Sequence, residues 1–164
     1  MMHVFIPKIH LDGRGTYLET WRQTDLDLKF VQSSLSVSRP YVLRGLHYQL
    51  KHPQAKLMRV VQGSAIVAAV DLRSSGKPRT EILDDINHRA VLVPSGWAVG
   101  FLSMERGATM SYMLTDYHYP DDDFAVDALD PDIGIAWPKY DYMRSQRDKL
   151  ARRLCDVPPG ELPE

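Results

Sequence analysis

An arginine and a histidine stand three positions apart in the otherwise apolar, β-prone stretch YVLRGLHYQL, residues 41–50. An imidazole can exchange a proton near neutral pH, and a guanidinium binds phosphate groups through parallel hydrogen bonds. Three interpretations of His47 are open: a core histidine bonded to a backbone carbonyl, a metal ligand, or a base. Strict alternation along a strand would put Arg44 and His47 on opposite faces. Gly45 between them permits a bulge that would turn both toward one cavity.

Other polar residues interrupt runs that are otherwise apolar. Tyr112, in MSYMLTDYHYP, carries a phenol with a pKa near ~10 that can donate a proton at pH 7. Lys56 and Arg59 stand in a long apolar run, and Arg14 is flanked by two glycines in DGRGTYLET. Each has an ordinary interpretation as a surface lysine, a half-buried aromatic or an exposed turn arginine. Paired with Arg44 in one cavity, Arg14 would instead form a fork-shaped site for a diphosphate.

The elements that must position these residues are short β-type runs separated by turn signals, which favours an antiparallel sandwich or barrel. The runs are HVFIPKIHL, TYLETW, LKFVQSSLSVS, YVLRGLHYQL, KLMRVVQGSAIVAAVDL, TEILDD, RAVLVPSGWAVGFLSM and ATMSYMLTDYHY. An imperfect apolar stripe predicts one helix over residues 140–154, and the tail 156–164 is expected to be frayed. A small barrel can enclose a cavity lined by alternate residues of each strand.

A metal site is disfavoured by the number of ligands. A metal-binding barrel of this kind uses a His-x-His pair, a later carboxylate and a further histidine. Here His47 is followed by Tyr48 and Gln49, and PSGWAVGF offers Val99 where a histidine would be needed. A hard or borderline cation requires three or four converging ligands, so we expect no metal.

Composition limits the remaining classes. With 164 residues, 44% hydrophobic and 25% charged, the chain predicts one domain over residues 1–164. A net charge of −1 gives no footprint for nucleic acid or an anionic membrane. No apolar run approaches the ~18 residues of a membrane span, and the opening MMHVFIPKIH lacks the features of a secretory signal. We therefore expect a cytoplasmic protein, and the lone Cys155 predicts no disulfide framework.

Together these motifs resemble the dTDP-4-dehydrorhamnose 3,5-epimerase family, the RmlC-like cupins, over about residues 5–150. The matching stretches occur in the family's order: DGRGTYLET, FVQSSLSVSRPYVLRGLHYQ, QAKLMRVVQGSAIVAAVDLR, LVPSGWAVGF, YMLTDYHYP, DPDIGIAWP and SQRD. The resemblance implies an all-β, cupin-type antiparallel jelly-roll barrel with a short C-terminal helix. It also implies a homodimer with exchanged N-terminal strands, in which each site is completed by the neighbouring subunit.

The resemblance implies a metal-free epimerase of nucleotide-diphospho-4-keto-6-deoxysugars in deoxysugar and polysaccharide biosynthesis. His47 would be the general base, Asp148 the carboxylate bonded to its ring, and Tyr112 the acid that protonates the opposite face. No organic cofactor is expected, because a 4-keto group already acidifies both neighbouring carbons. The substrate-binding positions implied in the same way are Arg14, Glu19, Gln32, Ser33, Ser34, Arg44, Lys56, Arg59, His118, Asp123 and Arg147.

Four positions depart from the family pattern. Val99 replaces a histidine, His118 an aromatic residue that stacks on thymine, Asp123 a glutamate and Arg147 a lysine. The nucleotide or the carbon inverted could therefore differ, so three alternatives stay open: an epimerase acting at C3 or C5 only, a ketoisomerase on a related nucleotide sugar, and a nucleotide-sugar-binding module without catalysis. A metal-dependent cupin oxygenase is disfavoured by the missing ligands.

Overall fold

The fold is antiparallel and almost entirely β, in a computed structural model that describes residues 1–74 and 77–163. The strands are β1 (His3–Phe5), β2 (Ile9–Asp12), β3 (Gly15–Leu18), β4 (Gln32–Ser38), β5 (Leu43–Gln49), β6 (Lys56–Asp71), β7 (Arg79–Asp84), β8 (Ala90–Val93), β9 (Trp97–Leu114) and β10 (Asp123–Ala125). A single turn of helix, α1, covers Gln146–Lys149. The predicted all-β jelly-roll class is confirmed.

Two long strands, β6 and β9, organise the main sheet. They pair with each other over most of their lengths, from Lys56↔Leu114 to Asp71↔Trp97. Toward its end β9 also pairs with β4, and near its start with β5. Because each long strand serves several neighbours, β4, β5, β6 and β9 can line one cavity from different sides. The β2–β3 hairpin forms a separate two-stranded sheet.

The core lies in apolar clusters on both sides of the β6–β9 pair. One cluster contains Leu43, Leu46 and Tyr48 of β5 together with residues of the C-terminal segment. The other is built on β6, β8 and β9, with Met58, Val67 and Met110 fully buried. The strand that carries Arg44 and His47 is thus anchored by its own apolar residues on either side of Gly45.

The C-terminal segment differs from the sequence prediction. The helix predicted over 140–154 is wrong in extent, because Met143 bonds to the backbone of Tyr41 and Leu43 and holds this part extended. Backbone pairing with the start of β5 therefore overrides the weak helical stripe, and helix begins only after Ser145. None of the helices in the described residues is long and apolar enough to cross a bilayer.

The tail is not frayed as predicted, as far as residue 163; Glu164 lies outside the described residues. Val157 is buried in the cluster that contains β5, and short 3-10 turns cover Leu154–Asp156 and Pro159–Glu161. The Tyr48 hydroxyl donates to the Glu161 carbonyl at 2.7 Å. Apolar contacts of the valine and this hydrogen bond explain why a proline-rich tail docks.

Candidate active site

An open cavity of about 410 Å³ lies between β4, β5, β6 and β9. Its lining contains most of the predicted residues: Gln32, Ser34, Arg44, His47, Lys56, Tyr112, His118 and Asp123. They come from separate strands and from the loop after β9, so the fold collects side chains that are far apart in sequence. This volume is in the range of small-molecule sites.

Arg44 and His47 both reach the cavity because β5 is irregular between them. The register against β9 shifts between these two residues, which confirms the predicted bulge. Gly45 sits at the bulge with φ of 104°, in a region that side-chain-bearing residues rarely adopt. A Cβ at this position would lie 2.7 Å from the Gly100 Cα atom, so glycine also permits the close approach of β9.

His47 forms a short hydrogen bond with a buried carboxylate. Its Nε2 lies 2.6 Å from Oδ1 of Asp148; the histidine side chain is 28% exposed and the aspartate side chain 3%. The histidine can therefore be reached from the cavity while its partner cannot. The interpretation of His47 as a core histidine bonded to a backbone carbonyl is wrong, because this ring nitrogen bonds to a carboxylate.

Asp148 is held as an anion by its surroundings. Burial alone would raise its pKa, but hydrogen bonding and charge from His47, the Gly45 N–H and the Ser145 hydroxyl bring the pKa below its usual value. Ser145 caps α1 by accepting a hydrogen bond from the Asp148 N–H at 3.0 Å. An ionised carboxylate fixes the orientation of the imidazole ring.

Tyr112 reaches the same cavity from β9. Its hydroxyl lies 2.7 Å from the Ser36 hydroxyl of β4. Burial raises the pKa of Tyr112 above that of an ordinary tyrosine, opposed by the Ser36 hydrogen bond and the Arg44 charge. The phenol is therefore protonated at neutral pH and available as a proton donor.

Lys56 supplies a cation to the lining at the start of β6. Burial lowers the pKa of its ammonium group, and the Asp123 carboxylate opposes that shift. Asp123 is itself held by Arg147, whose Nη1 donates to Oδ2 and whose Nη2 donates to the backbone carbonyl, both at 2.6 Å. Arg147 and Asp148 line a groove that adjoins the cavity behind His47.

The cavity mouth is polar. The Gln32 side chain accepts the His118 N–H at 2.9 Å and donates to the Ser34 hydroxyl at 3.1 Å. Arg44 is exposed and donates to Ser38 at 3.0 Å. No other described residue accepts a hydrogen bond from its guanidinium, so the remaining N–H groups can bind an anion.

The wall beside the histidine is apolar. Val99 is the cross-strand partner of His47 and is 5% exposed. Gly100, Phe101, Met58 and Leu114 continue this surface. The cavity therefore offers van der Waals contact as well as hydrogen bonds and charge.

Six of the predicted residues do not line this cavity: Arg147 and Asp148 line the adjoining groove, and Arg14, Glu19, Ser33 and Arg59 lie away from both. Arg14 is paired with Asp12 on the β2–β3 hairpin, and Glu19 with Arg22. Ser33 is exposed, because alternation turns it away from the face of its neighbours in β4. Arg59 donates to the carbonyls of Thr20 and His88 beside a smaller cavity that Glu19 also lines.

Two polar cavity residues were missed from the sequence. Ser36 shares a face of β4 with Gln32 and Ser34, so strand alternation was the signal that could have identified it. Gln54 also lines the cavity and donates to the carbonyls of Asp116 and Tyr117. Its position in a loop before β6 carries no periodic signal.

The geometry is suited to moving protons. A histidine oriented by a carboxylate can accept a proton, a neutral phenol can supply one, and an ammonium group can stabilise an oxyanion. Within residues 1–74 and 77–163, no group of three or more His, Cys, Asp or Glu side chains is arranged to hold a metal ion. The presence of His47, Tyr112 and Lys56 in one cavity points to acid–base chemistry carried by side chains.

Comparison with known proteins gives a consistent picture. A model of the family described as dTDP-4-dehydrorhamnose 3,5-epimerase matches residues 2–156. A protein of that description from Methanothermobacter thermautotrophicus is 36% identical, with 93% of this chain and 89% of that protein covered. Similarity therefore extends over nearly the whole of both sequences.

Solved structures agree with these sequence matches. The epimerase RmlC of Legionella pneumophila, in complex with dTDP-4-keto-L-rhamnose, superposes with a TM-score of 0.95 at 33% identity, covering 99% of this chain and 93% of that one. ChmJ, a 3'-monoepimerase from Streptomyces bikiniensis in complex with dTDP-quinovose, gives a TM-score of 0.91 at 30% identity, covering 99% and 88%. The jelly-roll architecture is shared with both.

Proposed function

Because the chain belongs to the dTDP-4-dehydrorhamnose 3,5-epimerase family, we propose that His47, Asp148 and Tyr112 are the residues that perform its epimerisation. The chain is an epimerase, an isomerase of nucleotide-linked 4-keto-6-deoxysugars in deoxysugar biosynthesis. One observation carries the residue assignment: a histidine that lies 2.6 Å from a buried carboxylate shares a cavity with a protonated tyrosine, while the carboxylate stays behind the histidine.

The proton inventory follows from the chemistry of a 4-keto sugar. His47 removes the proton from a carbon next to the C4 ketone, and the electron pair of the broken C–H bond forms the enolate. The Lys56 ammonium group stabilises the negative charge on the enolate oxygen. Tyr112 then delivers a proton to the other face of the same carbon, and the enolate electrons form the new C–H bond. Solvent returns both residues to their starting protonation states.

The nucleotide part of the substrate is assigned to the polar mouth. Arg44 is exposed there and can bind the diphosphate. Gln32, Ser34 and the loop of His118 lie within the same lining. Asp123 and Arg147 form an ion pair, and its polar atoms are assigned to the nucleobase. His118, Asp123 and Arg147 depart from the family pattern. The identity of the nucleobase is therefore the least constrained part of this proposal.

A homodimer would explain the residues that the single chain leaves outside. The β2–β3 hairpin that carries Arg14 is a separate two-stranded sheet, and such a hairpin is marginally stable alone. Leu11 of this hairpin is 78% exposed, and Leu35 and Val37 on the outer face of β4 are 67% and 77% exposed. Docking on a second copy would bury these groups and could bring Arg14 and Glu19 to the neighbour's cavity. The cytoplasmic location stays a prediction.

The test is incubation in deuterated water with dTDP-, GDP- and CDP-4-keto-6-deoxyglucose, with NMR detection of proton loss at C3 and C5. We expect exchange with inversion on the dTDP compound, and His47→Asn should slow it by about 10²- to 10⁴-fold. His88→Asn is the matched control, since asparagine tolerates the positive φ of 51° at that position. Wild-type exchange in His47→Asn would show that His47 is not the base.

A second candidate is inversion at one carbon only. It is favoured by the apolar side chain of Val99 beside His47 and by the similarity to a 3'-monoepimerase. Deuterium at C3 without deuterium at C5, or the reverse, would support it, and deuterium at both carbons would exclude it. Identification of the product also separates epimerisation from ketoisomerisation.

A further inference from the structure

Asp148 lies on an element that cannot position it unaided. Helix α1 is one turn long, and an isolated turn is unstable because its nucleation cost is not repaid by enough hydrogen bonds. The serine cap fixes the N–H side of this turn. The carbonyl side needs another donor, because the last carbonyls of a helix have no intrahelical partner.

Arg144 provides that donor. Its Nη2 donates to the Asp148 carbonyl at 2.5 Å and to Oδ1 of Asp127 at 2.6 Å. The Arg144 side chain is only 10% exposed and that of Asp127 26%, so this ion pair is less screened by water than a surface pair. A guanidinium held in this way is a stiff connection between two backbone segments.

Asp127 belongs to the segment that holds the strand of His47. Val126 exchanges backbone hydrogen bonds with Leu46 at 3.0 and 3.1 Å, and Ala125 pairs with His47. The contacts therefore form a closed circuit from His47 through Asp148, Arg144 and Asp127 back to β5. Closure matters because β5 is bulged at this point, and regular pairing with β9 does not fix the position of His47 by itself.

We propose that Arg144 is a positioning residue for the reaction: it fixes the Asp148 backbone relative to β5 and so sets the geometry of the His47–Asp148 pair. Arg144 lies outside the main cavity, in the groove behind His47. Its Nη2 is bonded to Asp127 and to the Asp148 carbonyl, so it acts through Asp148. The inference rests on the proposed role of His47 as the base.

Replacement of Arg144 should affect turnover more than binding. Arg144→Ala should lower kcat by about 10- to 100-fold, the effect of a small displacement of a catalytic pair, with KM nearly unchanged. The downfield proton resonance of the His47–Asp148 hydrogen bond, assigned by its absence in His47→Asn, should weaken. Arg144→Lys keeps a donor and a charge and should recover most of the lost kcat and of the resonance.

Arg153→Ala is the matched control, because Arg153 also pairs with carboxylates of the C-terminal region, Asp130 and Asp132, away from the dyad. It should retain wild-type kcat. If Arg144→Ala does not fold, Asp127→Asn tests the same circuit with little change in shape, and it too should lower kcat and weaken the resonance.

Two results would overturn the inference: wild-type kcat and an unchanged resonance in folded Arg144→Ala, or an equal loss of kcat in Arg153→Ala. If the Ala variant is unfolded, wild-type values in Asp127→Asn would overturn it. Failure of the proposed function is separate, since it appears as full activity in His47→Asn.

Discussion

The pKa and the orientation of the Tyr112 phenol both depend on the neighbouring Ser36 hydroxyl. Burial raises the pKa of Tyr112, while the hydrogen bond from Ser36 and the charge of Arg44 oppose the rise. Because the protonated phenol is the active form, activity governed by this group persists to higher pH than with an ordinary tyrosine. Ser36 therefore tunes the acid and aims it, although it does not exchange a proton with the substrate in the proposed reaction.

Ser36→Ala should move the pKa of Tyr112 further upward, since the interaction that lowers it is lost. An alkaline decline in kcat due to Tyr112 should shift to higher pH, and kcat near neutral pH should fall about three- to tenfold because the phenol loses its orientation. NMR titration of ¹³C-labelled tyrosine, compared with Tyr112→Phe for assignment, measures the pKa directly.

Ser111→Ala is the control, since Ser111 is next to Tyr112 on β9 and does not line the cavity. An unchanged or lower tyrosine pKa in Ser36→Ala would contradict the role given to this hydroxyl.

Residue identity was the most predictable part of the site. His47, Tyr112, Lys56 and Arg44 stand out because strands have no packing need for them, and the cavity contains all four. Ser36 did not stand out, because a serine in a half-exposed strand is unremarkable. The His47–Asp148 distance was accessible only through family resemblance, since 101 residues separate the two.

The bounds of the strands and of the helix depend on local backbone geometry, which the sequence indicates only in part. The bulge in β5 was predicted from the glycine, and its reason is visible in the fold: Gly45 has positive φ and packs against Gly100. The helix over 140–154 could not be corrected from sequence, because pairing of Met143 with the start of β5 is a tertiary contact. The continuity of β9 through Gly107 was likewise hidden by its glycine and charged neighbours.

Gly45→Ala should damage both stability and catalysis. A Cβ would meet the Gly100 Cα atom at 2.7 Å and the Val99 carbonyl at 2.8 Å, and its φ is costly for alanine. We expect the free energy of unfolding to fall by about 1–3 kcal/mol, measured by urea denaturation, and kcat to fall in the protein that remains folded.

Gly160→Ala is the matched control, because a Cβ at that position meets nothing within 4 Å. Equal stability of the two variants would show that the bulge does not require glycine.

The whole molecule is expected to work as a pair. If Arg14 acts in the neighbour's cavity, a dimer of one His47→Asn chain and one Arg14→Ala chain contains one intact site, because the intact histidine meets the intact arginine of the other chain. Co-expression with two different tags and mixing at random should give about a quarter of wild-type activity, since about half of the dimers are mixed and each has one of two sites intact.

The purified mixed dimer provides the sharper measurement, with about half of wild-type kcat per chain expected on the same symmetry argument. The two parent homodimers, each with both sites damaged, set the background. Activity of the mixed dimer no higher than the mean of the two parents would place Arg14 in its own chain's site or outside the site altogether.

The late position of the tail in the sequence has a consequence for synthesis. Tyr48 is bonded to Glu161 across 113 residues, and His47 to Asp148 across 101. When β5 leaves the ribosome, Asp148 and Glu161, the hydrogen-bond partners of His47 and Tyr48, have not yet been translated. These two hydrogen bonds form late, because contacts between residues far apart in sequence close slowly and need both partners to be synthesised. The oriented His47–Asp148 pair should therefore form only after α1 has been synthesised, so fragments that end before residue 148 should lack activity.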